Sequence, residues 1–307
     1  MSVYQDVFDR CRQFGEQRLE SEVLMNIGNT HWFQGDYQKA FEYQRRSLKK
    51  AKEIGDAFRQ EVALNTAGLI YWTLNDHDRA IENLQEALAT AKSLPGTNGR
   101  LEVAATHNNT GLIHRSRKQY KLALDSFNRA LEIDRILRSD WGIAYDERNI
   151  GMTYLRMGRV EEAATSLQSA AKRSRRIGDK TNLVKALYSL GNALMKQEQV
   201  EKAEEAYREA LDLSSQSRIQ EIVWRSRQSL GKVALARKQP KKALEHFARA
   251  IEVVEKMRAA IRIEEFKNGF VTNKLGLYDA TNVLLLDPRP VAEAFSHSRP
   301  DDRQAGT

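Results

Sequence analysis

A repeat of about 40 residues constrains this chain more than any other feature. Six glycines are spaced by 40, 43, 40, 40 and 40 residues: Gly28, Gly68, Gly111, Gly151, Gly191 and Gly231. An alanine stands twelve residues after each glycine, and a second small residue follows seven residues later; these are Ala40, Ala80, Ala123, Ala163, Ala203 and Ala243, then Ser47, Ala87, Ala130, Ala170, Ala210 and Ala250. Because small side chains let two helix backbones approach closely, the three columns predict helix crossings at a fixed period.

Between the columns, apolar residues recur at helical spacing, and turn-forming residues fall midway through each unit and between units. These turns are Gly35–Asp36, Asn75–Asp76, Gly158 and Lys238–Pro240 within units, and Gly55–Asp56, 93–99 and Gly178–Asp179 between units. Each unit therefore reads as helix A, turn, helix B, turn. We expect an all-α solenoid with at least thirteen helices in antiparallel pairs, no sheet, and a right-handed superhelical winding.

This pattern predicts four segments. Residues 1–15 correspond to the end of a helix B without its helix A, so they form a partial hairpin or capping helix, as in a piece of a longer protein. Six repeats occupy 16–260, a C-terminal helix occupies 261–287, and 288–307 has the composition of a disordered tail.

The order of residues within a unit resembles the tetratricopeptide repeat: Gly, often Tyr or His three residues later, then Ala, an aromatic residue and Ala. The resemblance covers 16–260. The period is 40 rather than 34 residues and the terminal proline is missing. These departures, with the string His107–Gly111, are similar to kinesin light chain and its relatives and imply longer helices.

The C-terminal stretch resembles the junction at which bacterial tetratricopeptide arrays lead into a CHAT domain, a caspase-like protease. The matching features are Arg258, Phe270, Tyr278–Asp279, Leu284–Leu286 and Ala292–Phe295. The resemblance implies that the array is the recognition half of a CHAT-protease system. The His/Cys dyad of that protease domain does not follow in this sequence.

The sequence offers no catalytic pair and no ligand set. Cys11 is the one cysteine, and we interpret it as a small core residue without a general base beside it. The six histidines include no pair at i, i+4, and the glycines form no phosphate-binding loop. We therefore expect no enzyme, no cofactor and no metal. Acidic pairs such as Asp146–Glu147 are interpreted as ordinary helix surface.

Net charge and hydropathy bound the partners and the location. No run of 18 apolar residues or signal peptide is present, so we expect a cytoplasmic protein without a membrane partner. The net charge is +8, and residues 221–260 hold ten basic against four acidic side chains. Nucleic-acid or ribonucleoprotein binding through this basic half is therefore the alternative function, although its few aromatic residues would leave such binding mostly to phosphates.

The leading hypothesis is a scaffold or adaptor that binds a protein segment. In the resembling family, helix A lines the concave groove. Two residues before each glycine stands a polar residue: Asn26, Thr66, Asn109, Asn149, Ser189 and Ser229. Amides can pair with both the N–H and the C=O of an extended peptide, although a polar column can also simply solvate an exposed face. The neighbouring groove positions are first apolar and then, apart from Gln228, basic: Trp32, Trp72, Arg115, Arg156, Arg225, Gln228 and Lys232. We expect an extended partner whose acidic residues face the basic positions.

Overall fold

The computed structural model describes residues 2–259 and 274–286, which form fourteen α-helices and no strand. The helices are α1 (Ser2–Phe14), α2 (Gln17–Phe33), α3 (Tyr37–Glu53), α4 (Ala57–Thr73), α5 (His77–Ser93), α6 (Gly96–Ser116), α7 (Tyr120–Ile136), α8 (Asp140–Met157), α9 (Val160–Ile177), α10 (Lys180–Lys196), α11 (Val200–Gln216), α12 (Gln220–Ala236), α13 (Pro240–Ala259) and α14 (Leu275–Leu286). The predicted all-α solenoid is confirmed. The predicted tail, 288–307, and most of the CHAT-like junction lie outside the described residues.

The helices divide between two compact units, residues 1–157 and residues 158–307. Unit 1 contains α1–α8 and unit 2 contains α9–α14. In unit 1, every helix packs on the next one in the chain, from α1 to α8. In unit 2 the same holds from α9 to α14. Such nearest-neighbour packing is characteristic of solenoids.

The glycine column marks close helix crossings, as expected. A methyl group added at Gly111 would come within 2.6 Å of Phe127 Cε1, and one at Gly191 within 2.5 Å of Tyr207 Cε1. At five of the six column glycines, all but Gly151, the residue met stands sixteen positions after the glycine: Gln44, Leu84, Phe127, Tyr207 and Phe247. In these repeats, a large side chain of helix B therefore packs directly against the glycine backbone of helix A.

The turns between helices have a common construction. Aspartate side chains accept the backbone N–H three residues later and so cap the following helix; these are Asp36, Asp56, Asp76 and Asp179. Before the caps, the chain passes through the left-handed region, with φ of 75° at Gly178. Six residues with a side chain occupy the same conformation: Asn75, Lys118, Arg138, Glu198, Arg218 and Lys238.

The break expected over 93–99 is shorter than the sequence indicated. Helix α6 begins at Gly96, directly after Pro95. Proline loses nothing at this position, because the first amides of a helix have no intrahelical acceptor. Gly99 lies within the first turn, where a side chain would collide with the Leu94 carbonyl.

Candidate functional site

The first helices of consecutive pairs lie side by side within each unit. In unit 1, α2 contacts α4, α4 contacts α6, and α6 contacts α8, while in unit 2 α10 contacts α12. We call the surface that these helices share the helix-A face of the unit. All the residues that the sequence assigns to a groove lie on these helices.

Two tryptophans join neighbouring A helices of unit 1. The indole of Trp32 on α2 donates to Thr73 Oγ1 of α4 at 3.4 Å, and that of Trp72 on α4 donates to Ser116 Oγ of α6 at 3.1 Å. Both rings are half-buried. They therefore align adjacent repeats and leave part of each ring accessible as an apolar contact.

A polar ladder crosses from α4 to α6. Asn109 Nδ2 donates to Asn65 Oδ1 at 2.6 Å, while Asn65 Nδ2 and Thr106 Oγ1 donate to the same Glu61 oxygen at 3.1 and 3.0 Å. Burial, and then the charge of Glu102, raise the pKa of Glu61. One donor of the Asn109 amide is thus used within the fold.

A second polar cluster joins α6 to α8. Asn108 Nδ2 donates to Asp146 Oδ1 at 2.7 Å, and the Asp134 carboxyl lies close to the Asp146 carboxyl. Burial, followed by Asp134, raises the pKa of Asp146. The interpretation of Asp146–Glu147 as ordinary surface was wrong for Asp146, which is fully buried. Because Asp146 stands directly before Glu147 in the sequence, the two look like one exposed acidic pair, and the sequence does not show that Asp146 faces the neighbouring helix.

The polar column is open mainly in unit 1. Asn26, Thr66 and Asn109 are half-buried there, whereas Asn149 is only 1% exposed. In unit 2, Ser189 and Ser229 are 5% and 8% exposed. The side chains of Asn26 and Thr66 make no hydrogen bond to the rest of the described chain.

Arg115 is a half-buried cation that holds no carboxylate among the described residues. Its guanidinium donates to the Asn149 carbonyl at 3.2 Å and lies 5.5 Å from the Phe127 ring centroid. Burial, followed by the positive charges of Arg148 and Arg156, lowers the pKa of Arg115 to about 10. Arg156 itself is exposed. Arg148 is only 8% exposed, so the three arginines are neighbours at different depths below the helix-A face.

Next to these arginines lies an aromatic stack that the sequence interpretation missed. The Trp141 and Tyr145 rings stack at 5.5 Å, and the Arg148 guanidinium lies 4.8 Å from the Tyr145 centroid. Trp141 is 60% exposed. The repeat pattern could have indicated this exposed residue. Phe58 and Leu101 also stand ten residues before their column glycine and are also exposed.

The basic groove positions of unit 2 are largely occupied. Arg225 Nε donates to Glu221 Oε1 at 2.7 Å, and the guanidinium lies 5.0 Å from the Trp224 ring. Gln228 is half-buried and Lys232 is exposed. Of the ten basic residues in 221–260, at least five pair with a glutamate: Arg225, Arg237, Arg249, Lys256 and Arg258.

Within residues 2–259 and 274–286, no group of three or more His, Cys, Asp or Glu side chains is arranged to hold a metal ion. None of the helices described is long and apolar enough to cross a membrane.

These helix pairs, with their crossing glycines and shared helix-A faces, define an α-solenoid of the helix-repeat class. Models of the tetratricopeptide repeat match residues 22–54, 59–136 and 144–216, more than half of the sequence. The chain therefore belongs to the tetratricopeptide repeat family. Among curated protein sequences, none matches it significantly.

Several solved structures are similar in fold. BtubC (BKLC) from P. vanneervenii is 16% identical with a TM-score of 0.65, covering 74% of this chain and 94% of its own. A STAND protein with a tetratricopeptide repeat sensor from Pyrococcus horikoshii is 15% identical with a TM-score of 0.69, covering 96% of this chain and 46% of its own. Aspartyl phosphate phosphatase F from Bacillus subtilis is 13% identical with a TM-score of 0.67, covering 94% and 74%. At such identities the likeness concerns the fold alone.

Proposed function

We propose that this protein is a non-enzymatic scaffold that binds an extended protein segment along the helix-A face of unit 1. The observation that supports this most is the row of accessible polar groups on three successive A helices, Asn26, Thr66 and Asn109. Half-buried apolar side chains, Leu69 and Leu112, stand three residues after Thr66 and Asn109.

The chemistry of this row suits an extended backbone. Such a segment presents an N–H and a C=O at each residue, and both must be paired when the segment is covered. The Asn26 amide and Thr66 hydroxyl can supply both a donor and an acceptor. Trp32 and Trp72 offer apolar contact at one part of the face, and Arg115 and Arg156 offer charge at another. We therefore propose a partner with apolar and acidic residues.

The neighbours support a recognition role by analogy. The repeat array of the Pyrococcus horikoshii protein is described as its sensor. We do not extend the proposal to nucleic acid, since at least half of the basic side chains in 221–260 already hold carboxylates.

The likeness of the C-terminal stretch to a CHAT junction leads us to propose a narrower role as well. In that role, the array selects the segment that an associated caspase-like protease cuts. Co-expression with the CHAT proteins of the source genome tests this role. Protease activity that depends on the array supports it, and indifference of every such protease to the array contradicts it.

A displayed library of random peptides tests the groove. Peptides retained by the protein should be lost on Thr66→Arg, which places a long charged side chain in the polar row. Arg129→Glu is the matched control, because Arg129 lies on helix B, exposed and paired with Asp125. Retention that survives Thr66→Arg but fails in Arg129→Glu would place binding on the helix-B surface and overturn the proposal.

A further inference from the structure

We propose that Arg115, Arg148 and Arg156 together bind the dianionic phosphate of a phosphorylated side chain in the partner segment. The inference rests on the proposed function and specifies the chemistry of the acidic group. It concerns residues of unit 1 alone.

The three arginines come from two helices, α6 and α8; Arg148 is 8% exposed, Arg115 is half-buried and Arg156 is exposed. Tyr145, Arg148, Met152 and Arg156 follow at spacings of three and four, so they share one face of α8. Arg115 comes from α6 and touches the Asn149 carbonyl between them. Burial first, and then the positive charges of Arg148 and Arg156, lower the pKa of Arg115. Placing like charges close together destabilises the fold, and a bound anion would offset that loss of stability.

Carboxylates satisfy another partly buried arginine of the same unit. Arg59 is held by Glu22 and Asp56, each at 2.7 Å. Arg115 has a backbone carbonyl and an aromatic ring instead. The buried carboxyl of Asp146 on α8 accepts from Asn108 and lies close to Asp134. Arg115 thus has no carboxylate acceptor in the described part of its own unit.

Charge and geometry favour phosphate over carboxylate. A carboxylate brings one negative charge, whereas a phosphorylated side chain brings about 1.5 to 2 charges at neutral pH and three acceptor oxygens. Several forked guanidiniums around one centre match those oxygens, because each fork can donate two parallel hydrogen bonds. All three cations here are arginines rather than lysines.

The cluster is local, which favours one phosphate group over a nucleic-acid strand. Unit 1 has 22 basic and 21 acidic residues, so it is almost neutral. A strand would need a track of cations along the face. Three of the half-buried residues near the arginines are apolar: Leu112, Met152 and Leu155.

The test compares three arrayed peptide libraries with randomised flanks and phosphoserine, glutamate or serine at the centre. We expect the full-length protein to retain the phosphoserine library at least tenfold better than the glutamate library. Arg115→Gln and Arg156→Gln should abolish that preference, while Arg129→Gln, which removes the same charge from helix B, should keep it. Because Arg156 is exposed, its variant keeps the test valid even if Arg115→Gln disturbs folding.

Competitors separate the sources of phosphate. Millimolar methyl phosphate should displace the phosphoserine peptides, and single-stranded RNA at equal phosphate concentration should not. Equal retention of the glutamate and phosphoserine libraries, with loss of both in Arg156→Gln, would overturn the phosphate inference and leave the groove proposal standing. A phosphoserine preference that persists in both variants, or stronger binding by RNA, would also overturn it.

Discussion

Gly111 shows how much one methyl group matters at a helix crossing. In Gly111→Ala, the new Cβ would lie 2.6 Å from the Phe127 ring, which is itself fully buried. The ring cannot move aside without displacing its neighbours. We expect a loss of about 1 to 3 kcal/mol in the free energy of unfolding, as for overpacking elsewhere, measured by urea denaturation.

Gly276→Ala is the matched control. Gly276 lies in α14, is exposed, and has no atom within 4 Å of an added Cβ. Alanine is the better helix former, so this change should cost nothing. Equal losses in the two variants would show that crossing geometry is not the reason for the glycine column.

Asp146→Asn should reveal the buried carboxyl at the junction of α6 and α8. The pKa of Asp146 is raised in the folded protein above its unfolded value of about 3.9. The stability linked to this group is thus complete below about pH 4 and is lost as pH rises through the folded pKa. The asparagine variant cannot ionise, so it should gain on the parent protein between pH 5 and about pH 8.5 in urea denaturation.

Asp125→Asn on the surface of α7 serves as its control. The Asp125 carboxyl is exposed and pairs with Arg129. Its replacement should therefore change the free energy of unfolding by a similar small amount at either end of that pH range. If Asp146→Asn shows no growing advantage at high pH, the buried carboxyl pair is not the pH-sensitive element of unit 1.

At the level of elements, the turns carry a cost that substitution can remove. Glu198 adopts φ of 59° after α10, a conformation that disfavours any residue with a Cβ. Glu198→Gly should therefore raise stability, by roughly 1 kcal/mol or less. Glu205→Gly, at an exposed position inside α11, should lower it by about 1 kcal/mol. Thermal melting of the two variants checks the opposite signs.

Helix identity and crossing points could be predicted from the sequence because they depend on side-chain size. The repeat positions of Gly111 and Ala123 hold small residues because two helix backbones meet there. The period of about 40 residues repeats that signal six times. The start of α6 at Gly96 was missed because Pro95 and Gly96 look like a break, although both are tolerated where a helix begins.

The polar contacts of the helix-A face could not be predicted in the same way. Successive helical residues point about 100° apart, so Asn108 and Asn109 differ in role although they are chemically identical. Asn108 donates to Asp146, and Asn109 donates to Asn65. Each bond joins residues about forty positions apart, and a single sequence does not show which of several polar residues will meet.

At the level of the whole molecule, the two compact units predict autonomous folding. A fragment of residues 1–157 should be helical and melt cooperatively, because in solenoids stability is a sum of repeats and nearest-neighbour interfaces. Circular dichroism during heating measures this.

A fragment of residues 1–136 is the comparison for this experiment. It lacks α8, so the apolar cluster that contains Leu131 of α7 would lose Ile143 and Ile150, and the melting temperature of the fragment should be lower. If the 1–157 fragment is unfolded while the full chain is stable, the boundary at 157 does not separate independent folding units.

The first helix adds a final consequence. Cys11 is the one cysteine of the chain and is only 3% exposed, packed with Phe8 against Val23, Leu24 and Ile27 of α2. Burial raises the pKa of its thiol, which slows attack on reagents further. Helix α1 packs on α2, and in a linear array one helix can open locally while the rest stays folded. The rate at which a thiol reagent reacts with Cys11 therefore measures how often α1 detaches from α2, and it does so without any substitution in the protein.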